Sequence, residues 1–138
     1  MSVPGRFAVF DIRSGTVSTN DSRVLTTHAF AGNNSRMPEN PTHIQGMNNP
    51  DMCHLHNIGP LPLGKWKFGT WGTYGDLGQH ACPLTQVEGE TYGRSAIFCH
   101  GPGGADPVNS SKGCLCMPHD ARIALEAYDP EFLYVTCA

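Results

Sequence analysis

Short apolar runs broken by Gly- and Pro-rich segments organise the chain. Arg6-Phe7-Ala8-Val9-Phe10-Asp11-Ile12-Arg13 has strand composition, Ser14-Gly15 supplies a turn, and Thr16-Val17-Ser18-Thr19 reads as the return strand of a hairpin. Residues 24–30, rich in Thr and apolar side chains, predict a third strand that ends at Ala31-Gly32-Asn33-Asn34. Lys65-Trp66-Lys67-Phe68-Gly69-Thr70-Trp71 alternates polar with aromatic positions as a half-buried strand does. Ser95-Ala96-Ile97-Phe98-Cys99-His100 reads as a buried strand stopped by Gly101-Pro102-Gly103-Gly104, and residues 132–137 as a closing strand. Residues 118–128 predict the one helix, with Asp120 in its first turn and Ile123 and Tyr128 near its apolar side. Residues 33–59 and 72–94 show no sustained periodicity and read as long loops, a form often kept for function. The expected architecture is mainly β with one short helix: a small mixed-topology β sandwich or barrel-like sheet forming a single domain over residues 1–138.

Composition narrows the function classes. Sixteen Gly and eleven Pro with only 15% charged residues agree with short strands and many turns. A net charge of -3 with scattered Lys and Arg leaves no basic patch for phosphates, so nucleic acid is not an expected partner. No window approaches the roughly 18 apolar residues of a membrane helix, so no membrane insertion is expected. The apolar stretch at residues 7–10 is too short for a signal-peptide core and is interrupted by Asp11, so no Sec-type export signal is read. The six cysteines suggest a disulfide framework only in a secreted chain.

The most informative stretch is Ile97-Phe98-Cys99-His100-Gly101, a loop, then Ser111-Lys112-Gly113-Cys114-Leu115. A thiol reacts as its thiolate, and an imidazole at a strand end is a suitable base, which makes Cys114 the candidate nucleophile and His100 its activator. Gly113 allows a tight turn, so that main-chain N–H groups near the thiol face a developing oxyanion. Ser111 shapes the loop or touches substrate. A free Cys114 also leaves at least one of the other cysteines unpaired, which rules out a complete three-bridge scaffold.

His-Gly, a loop, then Ser-x-Gly-Cys and an aliphatic residue resembles the catalytic motif of the L,D-transpeptidase (YkuD-like) superfamily. Upstream, Phe10-Asp11 with Ser14-Gly15, Gly32-Asn33, Asn40-Pro41 and the run Gly59-Pro60-Leu61-Pro62-Leu63-Gly64-Lys65-Trp66 are similar in order to a short branch containing type VI secretion effectors. The resemblance covers residues from about 7 to 136. It implies acyl transfer on peptidoglycan stem peptides, with Cys114 attacking the bond between an L and a D centre and His100 as general base and acid. Gly101, Gly113 and Ser111 would form the surrounding loop, and a backbone carbonyl near the histidine would orient its ring. No cofactor or metal is implied. An antibacterial toxin of this kind would leave its producer without a Sec signal and act in the target-cell periplasm, with a cognate immunity protein and a secretion carrier as partners. Two positions depart from the pattern: Lys112 stands where a histidine is usual, and Cys116 where an arginine is common. Arg122 is the expected substitute for the lost carboxylate contact, and Lys112 is a further expected substrate-binding residue.

Two readings from other classes compete. One is a non-catalytic module that grips peptidoglycan or a partner through the long loops. The other is a small zinc-stabilised interaction domain, drawing on Cys53-His54-Leu55-His56, His80-Ala81-Cys82 and Cys114-Leu115-Cys116-Met117-Pro118-His119, although these spacings match no common finger or ribbon. Cys53 and Cys82 are alternatively a loop-stapling disulfide. Cys99 reads as a small buried hydrophobe. Trp66, Phe68 and Trp71 read as core more readily than as a glycan platform. Met37, Met47 and Met52 form either an adaptable contact surface or loop packing, and Asp106 is given no role.

Overall fold

The computed structural model describes residues 2–34, 40, 42–102 and 111–137; Met37, Pro41, Gly103, Gly104 and Asp106 lie outside them. Among the described residues eight strands form one mixed sheet: β1 (Val3–Asp11), β2 (Thr16–Thr19), β3 (Val24–Thr26), β4 (Gly64–Phe68), β5 (Cys82–Glu88), β6 (Ile97–His100), β7 (Leu115–Cys116) and β8 (Pro130–Thr136). One α-helix, α1 (His119–Tyr128), joins β7 to β8. The spatial order is β3-β2-β1-β8-β4-β5-β6-β7. The last strand of the chain therefore sits in mid-sheet, parallel to β1 and antiparallel to β4. The sheet curls, so that the chain beyond β3 reaches the opposite edge strand β7. The chain leaving β3 forms an antiparallel bridge from Phe30 to Cys116 of β7, with bonds of 2.9 and 2.7 Å. The mainly-β, barrel-like expectation holds.

Alternation explains the core. Ala8, Phe10, Val17, Trp66, Phe68, Leu84, Leu133 and Val135 face inward from their strands and join Leu61, Leu115 and Leu125 in one cluster. Each such Leu or Phe contributes ~1.5–3 kcal/mol relative to exposure. Trp66 donates its ring N–H to the Pro62 carbonyl at 2.9 Å, and Trp71 stacks on Phe68 at 6.1 Å, so these aromatics belong to the core. The hairpin of β1 and β2 forms as expected.

Three elements differ from the sequence reading. The stretch read as a loop over residues 72–94 contains β5, whose Cys82 and Leu84 point inward. Pro83 disguises it, because a residue without an N–H argues against a strand within a sheet. The third strand is shorter than expected and stops at Thr26, with Phe30 returning as a single bridge. On α1 the buried residues are Ala121, Arg122 and Leu125, while Ile123 is 38% exposed. The buried stripe thus follows the i, i+4 pair Ala121 and Leu125 rather than the more apolar Ile123.

The excursion over residues 33–59 is held by buried amides. Asn33 and Asn40 are both wholly buried. Asn33 donates to the carbonyls of Asn57 (2.8 Å) and Ser111 (2.9 Å), and Asn40 donates to Asn33 Oδ1 (3.0 Å) and the Ile44 carbonyl (2.9 Å). The long loop is thereby locked to the segment that precedes β7.

Candidate active site

β6 and β7 run parallel in a register that pairs Cys99 with Leu115 and His100 with Cys116. Alternation sends Cys99 and Leu115 into the core. It sends Phe98, His100, Cys114 and Cys116 to the other face, where His100 and Cys114 are diagonal neighbours across the two strands. Both line a cavity of about 690 Å³, together with Phe98, Arg94, Lys112, His56, Asp76 and Leu77. His56 Nε2 is hydrogen-bonded to the Tyr92 carbonyl at 2.7 Å.

His100 is 7% exposed, and its Nδ1 lies 2.7 Å from the Gly101 carbonyl. A carbonyl only accepts, so Nδ1 carries the proton and Nε2 is the basic nitrogen. The resemblance called for a backbone carbonyl in this place. Burial depresses the imidazolium, the Gly101 carbonyl opposes that, and the Arg122 charge adds to it, with a net lowering of the pKa. His100 is therefore a neutral base near pH 7. Cys114 is half-buried; its Sγ accepts from Phe98 N–H at 3.3 Å and donates to the Ala96 carbonyl at 3.8 Å. Burial pushes its thiol up, while the Phe98 N–H and the Arg94 guanidinium pull it down less strongly. The resting pair is thiol and imidazole, not thiolate and imidazolium. Cys114 has no hydrogen bond to His100. Cys116 Sγ lies 4.0 Å from Nδ1 and 3.9 Å from Nε2 of the imidazole.

The loop that carries Cys114 is built around Ser111. Its wholly buried Oγ accepts from Gly32 N–H (3.0 Å) and Gly113 N–H (3.0 Å) and donates to the Cys114 carbonyl (2.7 Å). Ser111 thus shapes the loop. The same bond occupies Gly113 N–H, which leaves an oxyanion beside the thiol to other main-chain N–H groups of the loop. Gly113 has a different need for its missing side chain: its φ is +121°, and a Cβ would overlap Arg94 Nη2.

Arg122 is 8% exposed and does not line the cavity. It donates to the carbonyls of Met117 (3.1 Å), Gln79 (2.9 Å) and His80 (3.2 Å), and a Cβ on Gly101 would lie 2.5 Å from its Nη2. Arg122 braces the wall behind His100, so the expected substrate contact is corrected to a structural one. Lys112 is exposed and lines the cavity. Sequence reasoning missed Arg94, the arginine that does line the cavity beside Cys114. Its only local signal is its place between the Tyr92-Gly93 turn and β6.

All six cysteines are free thiols, and Cys82 stands opposite Cys99 in the β5–β6 register rather than beside Cys53. The expected Cys53–Cys82 staple is absent. Among the described residues no group of three or more His, Cys, Asp or Glu side chains converges as a metal site would require. No protein-family model, curated protein or solved structure matches the chain.

Proposed function

We propose that the protein is a cysteine enzyme of peptidoglycan, an L,D-carboxypeptidase or L,D-transpeptidase, and that it serves as an antibacterial type VI secretion effector acting in the target-cell periplasm. The observation that carries this reading is that Cys114 and a neutral His100, its tautomer set by the Gly101 carbonyl, open from one sheet face onto one cavity. Sγ leaves its weak contact with the Ala96 carbonyl and passes its proton to His100 Nε2 as it attacks the carbonyl carbon between an L and a D centre. The S–C bond forms, the C–N bond breaks, and the leaving amine takes the proton from Nε2. Water then releases the thioester as a shortened stem, or an amine releases it as a new amide. The proton from either acceptor returns to His100 and then to the thiolate. Because the resting pair is neutral, His100 acts as a true general base rather than as one half of a preformed ion pair.

The test is mass spectrometry of purified tetrapeptide muropeptides incubated with the wild-type chain and with Cys114→Ala. The wild type should remove or exchange the terminal D-alanine, and the variant should lose that activity by at least about a thousandfold. Equal turnover by Cys114→Ala sinks the mechanism. Wild-type protein that binds peptidoglycan without turnover replaces the enzyme with a binding module.

A further inference from the structure

Arg94 is a buried cation with no carboxylate partner among the described residues. It is 8% exposed, and each bond its side chain makes goes to a main-chain carbonyl. Nη1 donates to Cys53 O at 2.8 Å and Pro60 O at 2.6 Å, and Nη2 donates to Gly59 O at 3.0 Å and Lys112 O at 3.2 Å. Three of these carbonyls lie in residues 53–60, where the long excursion ends and the chain turns toward β4, and the fourth lies two residues before Cys114. Arg94 is also among the residues that line the cavity onto which Cys114 opens. Gly113 admits it at close range because it has no Cβ. Carbonyl dipoles solvate a buried guanidinium but leave its unit charge uncompensated, so an anion forming nearby in the same low-dielectric wall is stabilised.

We propose that Arg94 is the positioning residue of the site, clamping the Cys114 loop to the 53–60 segment and supplying the fixed positive charge against which the Cys114 thiolate forms. The proposal rests on Cys114 being the nucleophile but not on the identity of the substrate. The direction in which Arg94 moves the Cys114 thiol, downward against burial, agrees with it. The clamp also explains how two stretches more than fifty positions apart in sequence come to frame one cavity. Four carbonyls in a fork suit the planar, five-donor guanidinium and are more than one ammonium can satisfy.

The experiment measures iodoacetamide alkylation of the full chain against pH. Peptide-level mass spectrometry resolves Cys114, and exposed Cys137 serves as an internal reference. Arg94→Gln should move the Cys114 midpoint up by about one pH unit, a roughly tenfold loss of reactivity near neutrality, with Cys137 unchanged. Arg94→Lys should keep the midpoint near that of the wild type, because the charge is retained, while its loss of carbonyl bonds lowers the thermal midpoint. An unmoved Cys114 midpoint in folded Arg94→Gln overturns the proposal, as does a Lys variant shifted as far as the Gln variant. If Arg94→Gln does not fold, Arg94→Lys decides alone: a retained midpoint supports the charge role and a raised one overturns it. Alkylation needs no substrate, so a failed peptidoglycan assay with a shifted Cys114 profile rejects the enzyme's proposed substrate and leaves Arg94's role standing.

Discussion

Replacing Ser111 by Ala should unfold the protein more readily rather than simply inactivate it, and the size of the effect follows from its three bonds. Oγ accepts from the N–H groups of Gly32 and Gly113, both buried, and donates to the Cys114 carbonyl. Alanine removes both acceptances and the donation, while the void left by one oxygen is too small to admit a water. Each buried N–H left without an acceptor costs ~1–3 kcal/mol, so the two together come to about 2–6 kcal/mol. Against a total stability of about 5–15 kcal/mol that is a large fraction. At roughly 3 °C per kcal/mol for a domain of this length, the thermal midpoint should fall by about 6–18 °C. Urea denaturation followed by tryptophan fluorescence should report a lower midpoint with an unchanged slope, the mark of lost stability rather than an altered denatured state. Turnover should fall as well, since Gly113 and Cys114 lose their anchor. A variant that melts within about 2 °C of the wild type but no longer turns over substrate would refute this account and return Ser111 to the role of a substrate-binding hydroxyl.

Alkaline pH should destabilise the fold through its buried thiols. Burial pushes Cys82 up to about 12 from an ordinary 9.0, and Cys53, Cys99 and Cys114 are also raised. Above pH 9 the unfolded chain sheds thiol protons that the folded chain keeps, so the stabilisation is complete below 9 and is lost as pH rises toward 12. Thermal midpoints taken between pH 8 and 11 should decline, and a flat profile would show that these thiols are not protected. Arg122→Met should cost about 3 kcal/mol by leaving the Met117, Gln79 and His80 carbonyls without their charged donor. Its KM for muropeptides should not change; a raised KM at an unchanged melting temperature would make Arg122 the carboxylate contact after all.

The hairpin, the strand ending at His100, the helix and the candidate Cys–His pair were all readable from the sequence, because each is a local property. Period-two alternation, turn residues and a strand-end His-Gly followed by Ser-x-Gly-Cys need no knowledge of distant neighbours. β5 was hidden because Pro83 reads as a strand breaker, and its tolerance depends on which carbonyls and edges surround it. The same limit governed the polar residues. Asn33, Asn40 and Ser111 look like ordinary loop formers, and their burial appears only when residues 33, 40 and 111 meet. Arg94 and Arg122 exchanged their expected prominence for a related reason. A guanidinium's role is set by where main-chain carbonyls converge around it, and those carbonyls come from segments far apart in the chain. Cys114 and His100 were thus named by sequence. Their common face, the fixed tautomer, the occupied Gly113 N–H and the cation beside the thiol were decided only by tertiary structure, because strand register and loop closure are non-local.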